Sequence, residues 1–335
     1  INYLKHPFIK KTKKVEDDSA NENYLSKIAM LSRDKQGVDF SFYKKNTVIR
    51  RLEKRVSINQ FDSIQDYIEY LQRDERELNI LYKELLIGVT RFFRDEGAFE
   101  QIQKEVIPRI IKNKKAKEQL RIWVVGTSTG EEAYSLAILL KEYMDDHNLG
   151  FDIKIFATDL DKESIEYASA GVYSHSIISD ISSARLAKYF TRRDNSYQVN
   201  ENIRQMVVVA PHNILREPPF SKIDLISCRN LLIYFKPAIQ QKLMALFYYA
   251  LKETGFLFLG SSESVGDMSK GLKVFDPKWK IFSFIPGHQP ALSKNFALPP
   301  QPEGASRGQA GHRFKQKPAE GSQMGKVFEG LMQQF

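Results

Sequence analysis

Between residues 120 and 285, short runs of mainly apolar residues alternate with stretches whose apolar residues recur every three or four positions. A strand buried on both faces reads as such a run, and the amphipathic stretch between two runs returns the chain across the sheet as a helix. The alternation therefore specifies a parallel α/β sheet. Ile122 to Val125 is the first run, followed by a helical stretch from Glu131 to Tyr143. The unit recurs as strand Ile153 to Ala157, helix Lys162 to Ala170 closed by Gly171, strand Ile223 to Ser227, helix Pro237 to Leu251 and strand Phe256 to Leu259. Ile281 to Ile285 is expected to pair at the sheet edge. One stretch breaks the pattern: Tyr197 to Val199, the turn-like Asn200 to Asn202, and Ile203 to Val209 read as a hairpin inserted on the scaffold.

Ahead of the sheet the periodicity is helical throughout, as in Val48, Leu52 and Val56, then Ile64, Tyr67, Ile68 and Leu71, then Leu78, Leu81 and Leu85. Ser63 with Asp66 three residues on resembles a capping box. A further helix-like segment runs from Asp95 to about Lys112. The expected organisation is a linker over 1–21, a helical domain over 22–92 and an α/β domain over 93–287. The last carries an inserted β-subdomain at about 190–211, and a Pro-, Gly- and Gln-rich tail over 288–335 reads as disordered.

With 42% hydrophobic residues in 335, the chain builds a proper core. No run approaches the roughly 18 apolar residues of a membrane span, and Ile1 to Lys14 lacks a signal peptide's apolar stretch, so a cytoplasmic protein without membrane insertion is expected. A single cysteine, Cys228, excludes an internal disulfide framework and argues against a structural metal. The formal charge of +9 is spread over Lys10 to Lys14, Lys44 to Arg55, Lys112 to Lys117 and the tail, without zinc-finger spacing or an RNA-binding aromatic signature. It suits an acidic protein partner better than nucleic acid. Starting at Ile1 rather than Met, the chain reads as processed or as part of something longer.

The strongest local signal is Val125-Gly126-Thr127-Ser128-Thr129-Gly130-Glu131-Glu132, which joins the first strand to its helix. Glycine there admits close approach of a ligand, and the helix start offers free N–H groups, although such turns also occur for purely structural reasons. Asp159 ends the second strand, where a carboxylate accepts the hydroxyls of a ribose; the competing role is a helix cap, which suits Asp161 better. The turn is not G-x-G-x-x-G, so the pair reads as a nucleoside site without a pyrophosphate cradle. Such a site suits S-adenosylmethionine, whose zwitterionic amino-acid end would want carboxylates as well as donors, and Glu131 and Glu132 are nearby.

Five blocks now resemble one family in its order: Gly88 to Asp95 (GVTRFFRD), Trp123 to Ser135 (WVVGTSTGEEAYS), Ala157 to Asp161 (ATDLD), His212 to Leu215 (HNIL) and Cys228 to Phe235 (CRNLLIYF). They look like the successive motifs of the chemotaxis receptor methyltransferase (CheR) family, and the resemblance covers residues 24 to 286. It implies a helical amino-terminal domain on a Rossmann-like methyltransferase domain with a small antiparallel β-subdomain. It further implies O-methylation of glutamate side chains in the cytoplasmic domain of chemoreceptors, with S-adenosylhomocysteine as the second product. Carried over, Thr90 and Arg94 would contact the cofactor or line the active site, Glu131 or Glu132 would bind its methionine part, and Asp159 its ribose. Gly126 belongs to the same turn. Asn213 and Ile214 would flank the adenine, while Arg229 and Asn230 would close the pocket. Gly88 and Val89 stand where many members have Asn, and the hairpin lacks the Gly-rich loop of members that dock on a receptor's carboxy-terminal pentapeptide, so no such tether is expected. Ile1 to Ile9 resembles the end of a methylesterase domain, as in fused chemotaxis proteins.

Arg94 is the expected orienter of a substrate carboxylate, with Tyr234 donating a hydrogen bond. Phe92 and Phe93 read as packing rather than substrate contacts, and Cys228 as a small hydrophobe. His212 has no recognisable chemical partner. On the helix from about Tyr43 to Ile58, the residues Lys44, Arg50, Arg51, Lys54 and Arg55 are expected to face away from the apolar stripe and to dock an acidic receptor surface. Two other classes stay open: a small-molecule methyltransferase, and an S-adenosylmethionine sensor inside a larger signalling protein.

Overall fold

The computed structural model describes residues 18–114, 118–266 and 271–285. The Lys10 to Lys14 run, nearly all of the expected linker and the expected tail lie outside the described residues.

Four helices come first: α1 (Asp18–Gln36), α2 (Lys45–Ile58), α3 (Ile64–Leu71) and α4 (Glu75–Leu86). Each buries the stripe its periodicity marks, Val48, Leu52 and Val56 on α2 and Leu78, Leu81 and Leu85 on α4. Two are started by side chains: the Ser63 hydroxyl accepts the Asp66 N–H, and the Asp74 carboxylate accepts those of Arg76 and Glu77. An eight-residue helix such as α3 is too short to stand alone in water, so burial of its stripe holds it. α5 (Glu96–Gln101), a π turn (Ile102–Val106) and α6 (Ile107–Lys112) then lead to the sheet.

The α/β part runs β1 (Leu120–Val125), α7 (Glu131–Asp146), β2 (Ile153–Asp159), α8 (Lys162–Ala170), β3 (Val172–Ser174), α9 (Ser183–Tyr189), β4 (Phe190–Arg193), β5 (Ser196–Val199), α10 (Glu201–Arg204), β6 (Val207–Pro211), β7 (Ile223–Cys228), α11 (Pro237–Ala250), β8 (Leu251–Leu259), β9 (Leu272–Asp276) and β10 (Ile281–Phe284). The main sheet has the order β6-β2-β1-β7-β8-β10-β9, parallel from β6 to β8 and antiparallel at β10 and β9. Strand side chains alternate between faces. Ile122, Val124 and Leu225 accordingly join α5–α7 in one core, while Trp123, Val125 and Ile226 join α11 and the apolar stripes of α1–α4 in the other. Among the described residues no helix is long and apolar enough to cross a membrane.

Two expectations are corrected. Ile203 to Val209 does not form a hairpin with Tyr197 to Val199: β5 is already paired on one side by β3 and on the other by β4, leaving no edge for it. The Val207–Pro211 strand instead extends the main sheet parallel to β2, and α10 occupies the expected turn. The inserted antiparallel sheet is thus built from residues between Val172 and Val199, with its tight hairpin at Asp194, φ 43°. Secondly, β10 is interior, because β9 pairs outside it and covers the buried Ile281 and Phe282.

Candidate functional site

From β1 the chain order runs outward to β2 and β6 on one side and to β7 and β8 on the other. The carboxyl ends of β1 and β7 therefore flank a topological switch point, where open α/β sheets leave a crevice. A cleft opens there, lined by Val125–Ser128, Thr158–Leu160, His212–Arg216 and Arg229–Leu231 from the sheet and by Val38, Tyr43 and Thr90 from the helical side.

The β1–α7 turn is pinned to β2, since Gly126 N–H and Thr127 N–H both donate to the Thr158 carbonyl, at 2.8 and 3.0 Å. Gly126 (φ 69°) and Ser128 (φ 49°) are left-handed, as are Ile87 (φ 51°) and Asn230 (φ 59°) elsewhere on the lining. Non-glycine residues held this way cost free energy and cluster where a site demands it. Thr127 Oγ1 and Ser128 Oγ are buried here without a hydrogen-bond partner.

Asp159 closes the β2 side. One oxygen accepts Ser128 N–H at 2.7 Å and the other Asp161 N–H at 3.0 Å, which leaves further lone pairs for a ligand. Burial pushes its carboxyl above the usual range, against the pull of those donors. Asp161 caps α8, accepting Glu163 N–H at 3.1 Å and the Ser164 hydroxyl at 2.7 Å. Tyr43 lines the same corner, its phenol pushed upward by burial and by the charge of Asp159.

Of the two α7 acids only Glu132 lines the cleft, accepting from Ser227 Oγ at 2.6 Å and Arg229 Nη1 at 3.2 Å. Glu131 does not line it; its carboxylate accepts from Thr129 Oγ1 at 2.7 Å, and burial pushes it upward. Arg229 is buried, its Nη2 donating to Asp95 Oδ2 at 2.7 Å and to the Arg94 carbonyl at 2.9 Å, with Phe99 and Phe258 rings against the guanidinium. It is committed inside the protein and fixes Glu132 and the Arg94–Asp95 bend.

Thr90, Arg94, Asn213, Ile214, Asn230 and Tyr234 all line the cleft. Arg94 Nη1 donates to the Val89 carbonyl at 2.9 Å. Asn213 Oδ1 accepts Leu215 N–H at 3.1 Å, shaping the loop that presents Ile214. Tyr234 is held from the helical side: Lys44 N–H donates to its carbonyl at 2.8 Å, and Lys236 N–H to that of Phe42 at 3.0 Å. Phe92 and Phe93 are buried in the core. Burial pushes the Cys228 thiol well up, so it supplies no thiolate. Burial pulls His212 down, and its Nε2 lies 3.1 Å from the Pro218 carbonyl.

The basic helix is only partly as expected. Lys44, Arg50 and Lys54 are exposed and Arg51 half-buried, but Arg55 is 8% exposed. Its guanidinium donates from Nε and Nη2 to the two Glu77 oxygens at 2.8 and 2.6 Å, and Tyr67 and Asn59 donate to the same carboxylate at 2.7 and 2.9 Å. Arg55 is removed from the docking set because it braces α2 against α4. Lys54 is drawn to Glu84 at 3.1 Å.

Sequence reasoning missed the helical domain's share of the cleft, Val38, Phe42 and Tyr43, whose apolar character reads only as core. It also missed Glu263, 4% exposed, which receives four backbone N–H groups beneath the cleft.

Residues 88–281 match the family model described as CheR methyltransferase, SAM binding domain, and residues 23–86 that described as CheR methyltransferase, all-alpha domain. The chain is 37% identical over 276 residues to an uncharacterized 104.1 kDa protein of Rhodobacter capsulatus, covering 82% of this chain and only 29% of that one. It is 34% identical over 241 residues to chemotaxis protein methyltransferase 2 of Vibrio cholerae, covering 70% of this chain and 83% of the relative. The chemotaxis protein methyltransferase of Borreliella burgdorferi is 30% identical over 248 residues, with 72% and 88% covered.

Proposed function

Because this chain belongs to the CheR methyltransferase family, we propose that it O-methylates glutamate side chains of chemoreceptors, working in the cytoplasm as a helical domain (22–92) and a methyltransferase domain (93–287). S-adenosylmethionine is the cofactor and supplies an electrophilic methyl group on a sulfonium. The donor set fits it: one carboxylate with spare acceptor positions at the end of β2, a second on α7, a left-handed glycine in the turn that leads into α7 and buried hydroxyls without partners. We assign Asp159 to the ribose diol, Glu132 to the amino-acid end, and Ile214 with Tyr43 to the faces of the adenine. Arg229 and Glu131 support the site without touching ligand.

The observation that carries this reading is that Arg94 and Tyr234 line the same cleft as Asp159 and Glu132. A glutamate carboxylate, with a reference pKa of about 4.3, is ionised at neutral pH and needs no general base. What remains is alignment: Arg94 orients the carboxylate, Tyr234 donates to it, and near-attack geometry of this kind supplies up to about 7–11 kcal/mol. The products are a glutamyl methyl ester and S-adenosylhomocysteine. The exposed cations Lys44, Arg50 and Lys54 dock the acidic receptor, with no pentapeptide tether. Labelled methyl transfer to receptor-bearing membranes, to small carboxylic acids and without acceptor tests this. Label in receptor alone is expected; transfer to small acids marks a small-molecule enzyme, and binding without transfer a sensor.

A further inference from the structure

The loop after β7 carries three residues of the cleft lining, Arg229, Asn230 and Leu231, and leads through a single 3-10 turn to Tyr234. Asn230 sits at φ 59°, and Leu231 is pressed against the Gly126 turn, with its Cδ2 3.0 Å from where a Cβ on Gly126 would lie. Three successive backbone N–H groups thereby point the same way, into the protein. They meet Glu263: Asn230 N–H donates to Oε2 at 3.0 Å, Leu231 and Leu232 N–H to Oε1 at 2.8 and 2.7 Å. Gly260 N–H, at the end of β8, adds a fourth donor to Oε2 at 2.6 Å. Room for this exists because residue 260 is glycine, a Cβ there lying 2.8 Å from Glu263 Oε2 and 2.9 Å from Asn230 N.

We infer that Glu263 is a positioning residue for the methyl-transfer site, its buried carboxylate serving as the acceptor that holds the Asn230–Leu232 backbone in the shape that receives the cofactor and aims Tyr234. The inference rests on reading the cleft as the S-adenosylmethionine site. An ionised carboxylate has acceptor positions for four donors and no donor of its own. Glutamine at the same place turns an NH2 group toward two N–H groups, so at least two of the four lose their acceptor. With that support gone, the Asn230–Leu232 backbone loses its anchor and the lining moves with it. Glu263 touches neither cofactor nor substrate in this scheme.

The test is calorimetric titration with S-adenosylhomocysteine of wild type, Glu263→Gln, Glu263→Asp and a control, Asp224→Asn, each at a temperature where circular dichroism shows it folded. Asp224 is also a buried carboxylate, accepting Arg121 N–H at 2.8 Å and Lys114 Nζ at 2.7 Å, but near the opposite end of β7. Glu263→Gln is expected to weaken binding by roughly tenfold or more. Glu263→Asp, which keeps the charge one methylene short, recovers part of that loss, while Asp224→Asn loses stability without losing affinity. Unchanged affinity in Glu263→Gln, with a melting temperature lowered like that of the control, overturns the positioning role and leaves Glu263 a structural group. Should Glu263→Gln not fold, Glu263→Asp carries the test, and wild-type affinity in it overturns the role equally. Failure of wild type itself to bind would instead overturn the reading of the cleft, and the role of Glu263 with it.

Discussion

Replacing Asp159 by alanine removes the one carboxylate at the end of β2 and is expected to weaken S-adenosylhomocysteine binding about a hundredfold. Two of the carboxylate's roughly four acceptor positions are taken by Ser128 and Asp161 N–H. The remainder suffice for the two hydroxyls of a ribose. Hydrogen bonds to a charged group contribute about 1.5–3 kcal/mol each. Part is regained when water enters the emptied corner, so a net loss near 3 kcal/mol, roughly a hundredfold in Kd, is the working figure. Calorimetry at neutral pH measures it directly. The same group gives a signed pH effect. Binding favours the ionised form, and burial holds the carboxyl of the free protein above its usual range. As pH falls through that raised value the carboxylate protonates and an acceptor is lost, so wild-type affinity weakens at less acidic pH than an ordinary carboxylate would produce. Asp159→Asn should be weak and free of that component. Wild-type affinity in Asp159→Ala would refute the ribose assignment.

Further outcomes follow from neighbouring residues. Arg94→Ala should cost far more in turnover than in melting temperature, since the side chain makes one surface hydrogen bond to Val89. Cys228→Ser should keep substantial activity, and complete loss in a folded protein would contradict the mechanism. Arg55→Ala should destabilise by about 3–5 kcal/mol in denaturant unfolding, because Glu77 is left buried without its cation, while leaving the KM for receptor unchanged. Lys44→Glu with Arg50→Glu should raise that KM without altering cofactor affinity, and salt should imitate it, since the screening length falls from about 30 to 8 Å between 0.01 and 0.15 M. Wild-type kinetics at low salt in that variant would reduce α2 to a solvated face.

The central strands were legible because burial on both faces forces mainly apolar runs: Ile122 to Val125 is unbroken, and Ile223 to Ser227 is interrupted only by Asp224, whose buried carboxylate accepts Arg121 N–H, and by Ser227. Partner choice was not. Nothing local tells Val207–Pro211 that β5 is already paired on both sides and that β2 offers its edge. β9 was overlooked because Leu272–Asp276 mixes one buried leucine with exposed Lys273 and Val274, as an edge strand does. Arg55 could have been found: it lies seven residues after Val48 and three after Leu52, on the buried stripe, and its charge disguised its position. Asp159 and Asp161 separated as their places at a strand end and a helix start require. Glu263 carried no signal at all, since its four donors come from two segments about thirty residues apart in sequence.

The central claim is chemical, that a carboxylate side chain of a receptor becomes a methyl ester. Receptor-bearing membranes incubated with the protein and methyl-labelled S-adenosylmethionine should acquire label that mild base releases as methanol, and mass spectrometry of receptor peptides should place it on glutamate. Label that survives base, or sits on lysine or the amino terminus, would contradict the account.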